Sequence, residues 1–412
     1  MTRNNTVDII RGFAMLLVVL GHTMSGCTAD FQDIFLFQVI WTLQMPLFII
    51  ISGYVTRYSR PLLNGGALWS FVKKRSLAYL FPWAIWTFLI RGLVFGETGN
   101  YNIKFLLWHM DCGYWFLITI WTISMIFGLS DLLSYKIAID KKFMKIFLHL
   151  ALCGVGMVAL AAIGYVLGLS FFSIKLTLYY LPIYLIGYLY GQLQDTLMAK
   201  SYSKTLVNVT IAVCLGLWLA IINRYDFFGG ADTPVMIIFR FFTSIIGCTA
   251  IIGLFSGIFN GGGQLCSSMG WKALVGSISQ PLPVAQSLPH GADASSDVVE
   301  RNNIDDCQLL DNGRTDLSSD NHSAAQSCAQ LPSVRETKSA NFLKWVGVHS
   351  LEVYLIHGFS LCLLKLPVAP LMHSAESWVL IAVDFTITVA LSIMYIRIIE
   401  TNKLLNKILF WK

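Results

Sequence analysis

The stretch DIIRGFAMLLVVLGHTMSG, residues 8–26, decides the fold class, because it is apolar enough to cross a bilayer and still carries Arg11 and His22. About 20 predominantly apolar residues span the hydrocarbon layer as one helix. An ionisable side chain at that depth costs about 2.5 kcal/mol or more, so such side chains usually face a cavity inside a helical bundle. The stretch therefore predicts a membrane helix with a polar face that serves a site.

The composition of the whole chain supports a polytopic membrane protein. Of the 412 residues, 56% are hydrophobic and 13% are charged, with a mean hydropathy of +0.64, whereas soluble domains are about 25% charged. The net charge of +6 comes from basic residues between apolar runs, which favours topology signals over a nucleic-acid interface. The nine cysteines show neither a Cys-x-x-Cys pair nor metal-like spacing, so we expect free thiols and no metal site.

Ten apolar runs are long enough to cross a membrane, and Lys and Arg are concentrated in alternate connections between them. The positive-inside bias of these connections predicts that both termini are cytoplasmic. The sequence therefore predicts an all-α integral membrane protein with about ten transmembrane helices. The predicted spans cover residues 7–28, 34–56, 71–95, 113–131, 145–168, 172–192, 205–223, 234–259, 342–366 and 377–398.

One region departs from this pattern. Residues 261–340 are rich in Ser, Asp, Asn, Gln and Gly and have no usable period, which predicts a disordered cytoplasmic loop, with a small folded domain as the alternative. The expected organisation is a membrane core of helices one to eight over 1–260, the polar loop over 261–340, and helices nine and ten of the same core over 341–412. No internal repeat stands out, which weakens an inverted-repeat transporter.

The first span has the spacing of a chemical device. Eleven residues of α-helix make three turns plus about 20° and rise about 16 Å, so Arg11 and His22 share one face. Arg suits phosphate binding, and a His of ordinary pKa is a general base near neutral pH. The pattern predicts a phosphate-bearing carrier with a long arm. The alternatives are an Arg that reaches back to the interface, an idle interfacial His, and a signal peptide cleaved near MSGC, residues 24–27.

These residues also resemble a family. Arg11 and His22 match the R-x10-H signature in the first helix of the membrane acyltransferase-3 family, and the order of the further motifs makes the resemblance specific. Those motifs are MPLFIIISGY at 45–54, FVKKRSLAYLFPWAIW at 71–86, GYWFL at 113–117 and GVHSLEVYLIH at 347–357.

The resemblance implies transfer of an acyl group, usually acetyl from acetyl-CoA, to a hydroxyl of a glycan or related envelope component. It implies that His22 is the catalytic base and that Arg11 binds the donor, in a bacterial inner membrane. The expected partners are acyl-CoA as a donor substrate, a glycan or lipid-linked sugar acceptor and membrane lipid, with no permanently bound cofactor and no nucleic acid. One departure lies in helix three, where many relatives carry two Arg three residues apart and this chain has Arg75 followed by Ala78.

Seven further residues are site candidates. Lys73, Lys74 and Arg75 either meet the donor phosphates or only anchor the topology. Four others are candidates for substrate contact, namely Tyr54, Trp115, Arg240 and His357. The alternatives are packing for Tyr54, an interfacial position for Trp115 and Arg240, and a polar network inside the bundle for His357.

Two rival functions are weaker than the enzyme. A transporter or flippase for a lipid-linked or anionic solute predicts activity that survives loss of His22. A membrane scaffold predicts that deletion of residues 265–338 abolishes function. The ordered run of motifs favours the enzyme, with direct attack and an acyl-enzyme intermediate both open as mechanisms.

Overall fold

The computed structural model describes residues 4–90, 108, 114–137, 142–199, 204–225, 227, 233–260, 337–364 and 375–411, and the elements in these ranges are helical. The predicted polar loop lies outside the described residues up to 336. The domain division therefore remains a prediction.

Twelve α-helices occupy the described ranges. Three 3-10 turns, Phe31–Asp33, Val55–Tyr58 and Phe171–Ser173, and a π-helical segment, Ile85–Ile90, adjoin them. The α-helices are α1 (Asn5–Cys27), α2 (Phe35–Tyr54), α3 (Gly65–Ala84), α4 (Trp115–Lys136), α5 (Lys142–Leu167), α6 (Ile174–Ala199), α7 (Lys204–Arg224), α8 (Pro234–Asn260), α9 (Lys338–Val348), α10 (Ser350–Leu364), α11 (Ala375–Thr401) and α12 (Lys403–Phe410).

Eight of the described helices are long and apolar enough to cross a membrane, namely α1, α2, α4 to α8 and α11. The all-helical membrane fold is thus confirmed, while the count of ten and the cytoplasmic termini stay predictions. The third predicted span differs because α3 carries Lys73, Lys74 and Arg75 in its middle and Pro82 near its end, and it continues as the π-helical segment.

The ninth predicted span, expected as one helix over 342–366, is divided at His349 into α9 and α10. Both nitrogens of the His349 ring are engaged. Nδ1 donates to the carbonyl of Trp345 at 2.9 Å, and Nε2 lies 3.0 Å from Oε1 of Glu400 in α11. The His349 ring also stacks on Trp345 with ring centroids 4.3 Å apart. These contacts hold the chain at the break.

Helices α9 and α10, the two halves of the ninth predicted span, run in opposite directions along α1. A Cβ placed on Gly12 would collide with the carbonyl of Leu343, and one placed on Gly347 would collide with that of Asp8, which is the order of antiparallel helices. In α10, by contrast, Ser350 lies near Arg11 in the lining of one cavity, and His357 lies against His22. Helix α10 therefore runs parallel to α1. The chain reverses its direction at His349, between α9 and α10.

Helix α1 occupies the middle of this arrangement, packed against α2, α9, α10 and α11. Glycines make the closest crossings, because backbone meets backbone where a side chain is missing. Gly12 serves this role between α1 and α9, and Gly53 and Gly187 serve it between α2 and α6. These contacts fix the height of Arg11 and His22 relative to their neighbours.

Candidate active site

The first candidate residues stand on one helix with a defined start. Asn4 caps α1, since its side chain accepts hydrogen bonds from the amides of Thr6 at 3.1 Å and Val7 at 3.4 Å. Arg11 follows in the second turn and is half-buried. His22 lies about 16 Å further along the same face and is exposed. A reacting group can therefore approach His22 from outside the packed core.

Arg11 faces a small cavity of about 170 Å³ between α1, α2, α3, α4 and α10. Most of its walls are apolar, and Arg11 is the one charged side chain among the described residues that line it. Polar groups come from Ser52, Tyr79, Ser350 and Tyr354. The cavity therefore suits a narrow, partly apolar chain whose polar atoms accept hydrogen bonds.

His22 faces His357 of α10. Their ring centroids are 5.2 Å apart, and the rings are tilted by 36°. His357 is buried, and its Nδ1 donates to the carbonyl of Val353 at 3.1 Å. In a neutral ring this bond leaves Nε2 as an acceptor. The ring of Tyr354, which lines the small cavity, lies 5.8 Å from that of His357, so Tyr354 connects the cavity to the histidine pair.

A second cavity of about 820 Å³ opens at the end of the bundle where α2 and α4 end and α3 and α5 begin. Six basic side chains line it. They come from three separate segments of the chain: Arg57, Arg60, Lys74, Arg75, Lys142 and Lys145. Such a concentration of positive charge attracts polyanions.

The large cavity, the small cavity and the histidine pair follow one another along the bundle. Arg75 lines the large cavity and donates to the hydroxyl of Tyr79 at 2.9 Å, one turn further along α3 and in the lining of the small cavity. Arg11 is in the small cavity, and His22 lies three turns beyond it on α1. The three sites therefore occur in a fixed order.

The other predicted residues take different positions. Lys74 and Arg75 line the large cavity, whereas Lys73, which is exposed like Lys74, is absent from its lining. Tyr54 donates to Oε1 of Gln194 at 2.7 Å, and the Arg57 guanidinium lies 5.9 Å from its ring. Tyr54 thus borders a residue of the large cavity without lining it.

Trp115 and Arg240 are held by protein groups. Trp115 stacks on Tyr180 with centroids 5.7 Å apart, so one of its ring faces is covered. Arg240 donates to the carbonyl of Phe227 and lies over the ring of Trp41 at 5.4 Å. Substrate contacts at both residues stay predictions.

Sequence reasoning missed most of the large cavity. The basic residues at 57–60 and 142–145 were visible as topology signals, but nothing in the chain order shows that they share a wall with Arg75. It also missed Tyr354, whose position depends on the break at His349. For metal binding, the part of the chain that the structure describes holds no group of three or more His, Cys, Asp or Glu suited to an ion.

The fold makes this chain a multi-pass membrane protein, and comparison with known families goes one step further. The model of the acyltransferase 3 family, described as an acyltransferase domain, matches residues 4–280, which is more than half of the chain. The chain therefore belongs to the acyltransferase-3 family, and the resemblance seen in its motifs is confirmed. No protein of curated function and no solved structure matches it.

Proposed function

We propose that this membrane acyltransferase moves an acyl group, acetyl in the first place, from acyl-CoA to a hydroxyl of an envelope glycan or lipid-linked sugar. The observation that carries the proposal is the fixed order of basic cavity, Arg11 cavity and histidine pair. That order matches a donor that has phosphates at one end, a flexible arm and a reactive thioester at the other end.

The large cavity takes the phosphates of the donor. Its six basic side chains offer charge-assisted hydrogen bonds, which are the stronger kind. The volume of the large cavity falls within the range of about 300–1,000 Å³ that is usual for small-molecule binding clefts. The arm then passes Tyr79 and Arg11 toward Tyr354, and the acyl group meets the ring pair of His22 and His357.

The chemistry at the histidine pair is acyl transfer. His22 removes the proton of the acceptor hydroxyl, and the oxygen attacks the thioester carbonyl carbon. The carbon–sulfur bond breaks, and the CoA thiolate takes the proton back from His22. General base catalysis of this kind contributes about 10²–10⁴-fold to the rate. In the two-step variant the acyl group rests on the ring of His22 before the acceptor attacks.

The proposed setting is the plasma membrane of a bacterium. The large cavity opens on the cytoplasmic side, where acyl-CoA is made, and the basic residues around it agree with the positive-inside bias. His22 lies toward the other face, where envelope glycans are assembled. The acyl group thus crosses part of the bilayer while the donor stays bound from the cytoplasmic side.

The test uses membranes that contain wild-type or His22→Ala protein at matched levels, with acetyl-labelled acetyl-CoA and a crude envelope-glycan fraction. Label should reach the glycan with the wild type and not with His22→Ala. Gly26→Ala is the matched control, because Gly26 lies one turn further along α1 beside open space. Equal transfer by His22→Ala and wild type would remove His22 from the chemistry, and acetyl-independent export of a lipid-linked sugar would favour a flippase.

A second measurement separates the two routes. Wild-type protein is incubated with labelled acetyl-CoA and no acceptor, and the denatured chain is analysed by mass spectrometry. An acetyl group on the His22 peptide indicates the two-step route. An unlabelled chain that still transfers acetyl when the glycan is added indicates direct attack.

A further inference from the structure

The wall of the large cavity contains a feature that phosphate binding does not explain. Asp131 of α4 is the one carboxylate among the described residues that line it, and it stands among six basic residues. A carboxylate repels phosphates, so its presence weakens a surface that serves phosphates alone. Asp131 must therefore do something else, in the fold, in the ligand contacts or in both.

The two oxygens of Asp131 differ in their surroundings. Oδ2 accepts a hydrogen bond from the backbone amide of Leu62 at 2.8 Å, which ties the segment between α2 and α3 to α4. Oδ1 lies 3.9 Å from Nδ1 of His149, too far for a hydrogen bond. The Asp131 side chain is 20% exposed, so Oδ1 has room for a partner from the cavity.

Nδ1 of His149 is the polar atom that faces Oδ1 of Asp131. Its side chain is 1% exposed, and its Nδ1 has no hydrogen-bond partner among the described residues. Its Nε2 lies 3.7 Å from the thiol of Cys153, and a thiol that donates to Nε2 leaves the ring proton on Nδ1. A buried polar atom without a partner costs about 1–3 kcal/mol, so a ligand atom that pairs with Nδ1 gains binding free energy of that order.

Two further aromatic rings, both mostly buried, pack against His149 in the cavity wall. The ring of His149 lies 4.5 Å from that of Phe127 and 5.0 Å from that of Tyr188, measured between centroids, and all three residues line the cavity. Flat heterocycles stack on such rings. In the tautomer whose Nε2 accepts from Cys153, Nδ1 of His149 is a donor, and it lies 3.9 Å from the acceptor Oδ1 of Asp131 beside these rings.

We propose that Asp131 and His149 recognise the adenine base of the donor, in a pocket walled by Phe127 and Tyr188. The adenine amino group donates to Oδ1 of Asp131, and the neighbouring ring nitrogen N1 accepts from Nδ1 of His149. This inference rests on the proposed function, since it assigns a place to one part of acyl-CoA. It makes Asp131 and His149 specificity-determining residues for the nucleotide.

The test compares acetyl-CoA with an analogue whose adenine is replaced by hypoxanthine. Hypoxanthine has an oxygen acceptor in place of the amino donor and an N–H in place of the ring acceptor, so the pattern is inverted while every phosphate is kept. Wild-type protein should show a KM about tenfold lower for acetyl-CoA than for the analogue, because the mismatch leaves buried polar atoms unpaired.

Asp131→Asn sharpens the test. The Asn oxygen still accepts from the amide of Leu62, while its NH₂ group now faces the cavity and can donate to the hypoxanthine oxygen. In this variant each base makes one of the two hydrogen bonds, because Nδ1–H of His149 still matches only adenine. The ratio of the KM for the analogue to the KM for acetyl-CoA should therefore fall from about ten to about one. Lys74→Gln is the comparison variant, and it should raise the KM for both donors equally and leave their ratio unchanged.

The outcomes separate the two proposals. Transfer from neither donor by wild-type protein would overturn the proposed function. Transfer from both donors with equal KM in the wild type would leave the proposed function standing and overturn the adenine pocket. An Asp131→Asn protein that loses activity with the wild-type ratio intact would show that Asp131 only holds the Leu62 segment, which also overturns the pocket.

Discussion

The two helices that carry the facing histidines differ in kind. Helix α1 is continuous from Asn5 to Cys27, and its spacing of Arg11 and His22 could be read from the sequence alone. The segment that carries His357 is broken at His349, and its halves run in opposite directions along α1. The comparison shows that positions within one helix are set by local geometry, whereas the meeting of two helices depends on contacts that are distant in sequence.

The largest expected effect lies on the continuous helix. His22→Gln should lower the rate of acetyl transfer by about 10²–10⁴-fold, because the amide keeps the polar volume but is not a base. His357→Gln on the broken segment should lower it by roughly tenfold, since His357 positions the ring of His22 through the 5.2 Å contact.

The pH profile distinguishes the two roles. If His357 is a positioning residue, His357→Gln shifts the pH at which the remaining activity is half-maximal. The reason is that an amide then replaces the imidazole ring next to His22. A loss as deep as that of His22→Gln would instead make His357 a catalytic partner. Transfer activity is measured in membranes at matched expression over a pH series.

The second prediction breaks the crossing between the two regions. Gly12→Ala puts a methyl group into the carbonyl of Leu343, so α1 and α9 must separate. Overpacking of this kind costs about 1–3 kcal/mol. We expect a lower free energy of unfolding in detergent and a lower yield of folded protein. Thermal denaturation of the purified protein measures the first effect.

The control for that crossing lies on the same helix. Gly26→Ala meets open space, and replacing a helical Gly with Ala gains up to about 1 kcal/mol of helix propensity. It should therefore leave stability equal or slightly raised. Equal melting temperatures for Gly12→Ala and wild type would contradict the close packing of α1 and α9.

Much of the fold and part of the site follow from the sequence in physical terms. Apolar runs of membrane length identify helices without any knowledge of their neighbours, and the fixed pitch of a helix places Arg11 and His22 on one face. The break at His349 was not predicted, because the groups in contact around it are distant in the chain: Glu400 is 51 residues from His349, and Gly12 meets Leu343. The run 342–366 is continuously apolar enough to read as one span.

Most of the large cavity was not predicted, for the same reason. Lys74 and Arg75 are neighbours in α3 and were read as one cluster with Lys73. Lys142 and Lys145 belong to another connection, and only the packing of α4 against both α3 and α5 brings them to the same wall. Asp131 and His149 carried no signal in the sequence, since neither lies in a motif.

A third, smaller effect separates two adjacent lysines. Both lysines are exposed, but Lys74 lines the large cavity and Lys73 does not. Lys74→Gln should raise the KM for acetyl-CoA about fivefold with little change in kcat, because a charge-assisted contact to phosphate is lost. Lys73→Gln should leave both constants near the wild-type values. Equal effects of the two substitutions would indicate a general surface charge and not a cavity contact.

The smallest expected effect concerns the break at His349. Glu400→Gln keeps the size of the side chain and removes the charge that faces Nε2 of His349 at 3.0 Å. Because Glu400 is 34% exposed, solvent screens the pair, and we expect a loss of at most about 1 kcal/mol in the free energy of unfolding. Glu400→Ala should cost no less, since it removes the acceptor altogether. The backbone contact between Gly12 and Leu343 favours the crossing of α1 and α9 as the main support of the break. We therefore expect both Glu400 variants to change stability slightly and to leave the rate of acetyl transfer unchanged. If the break depended mainly on the His349–Glu400 pair, both variants would also weaken the contact of His357 with His22, and acetyl transfer would fall along with stability.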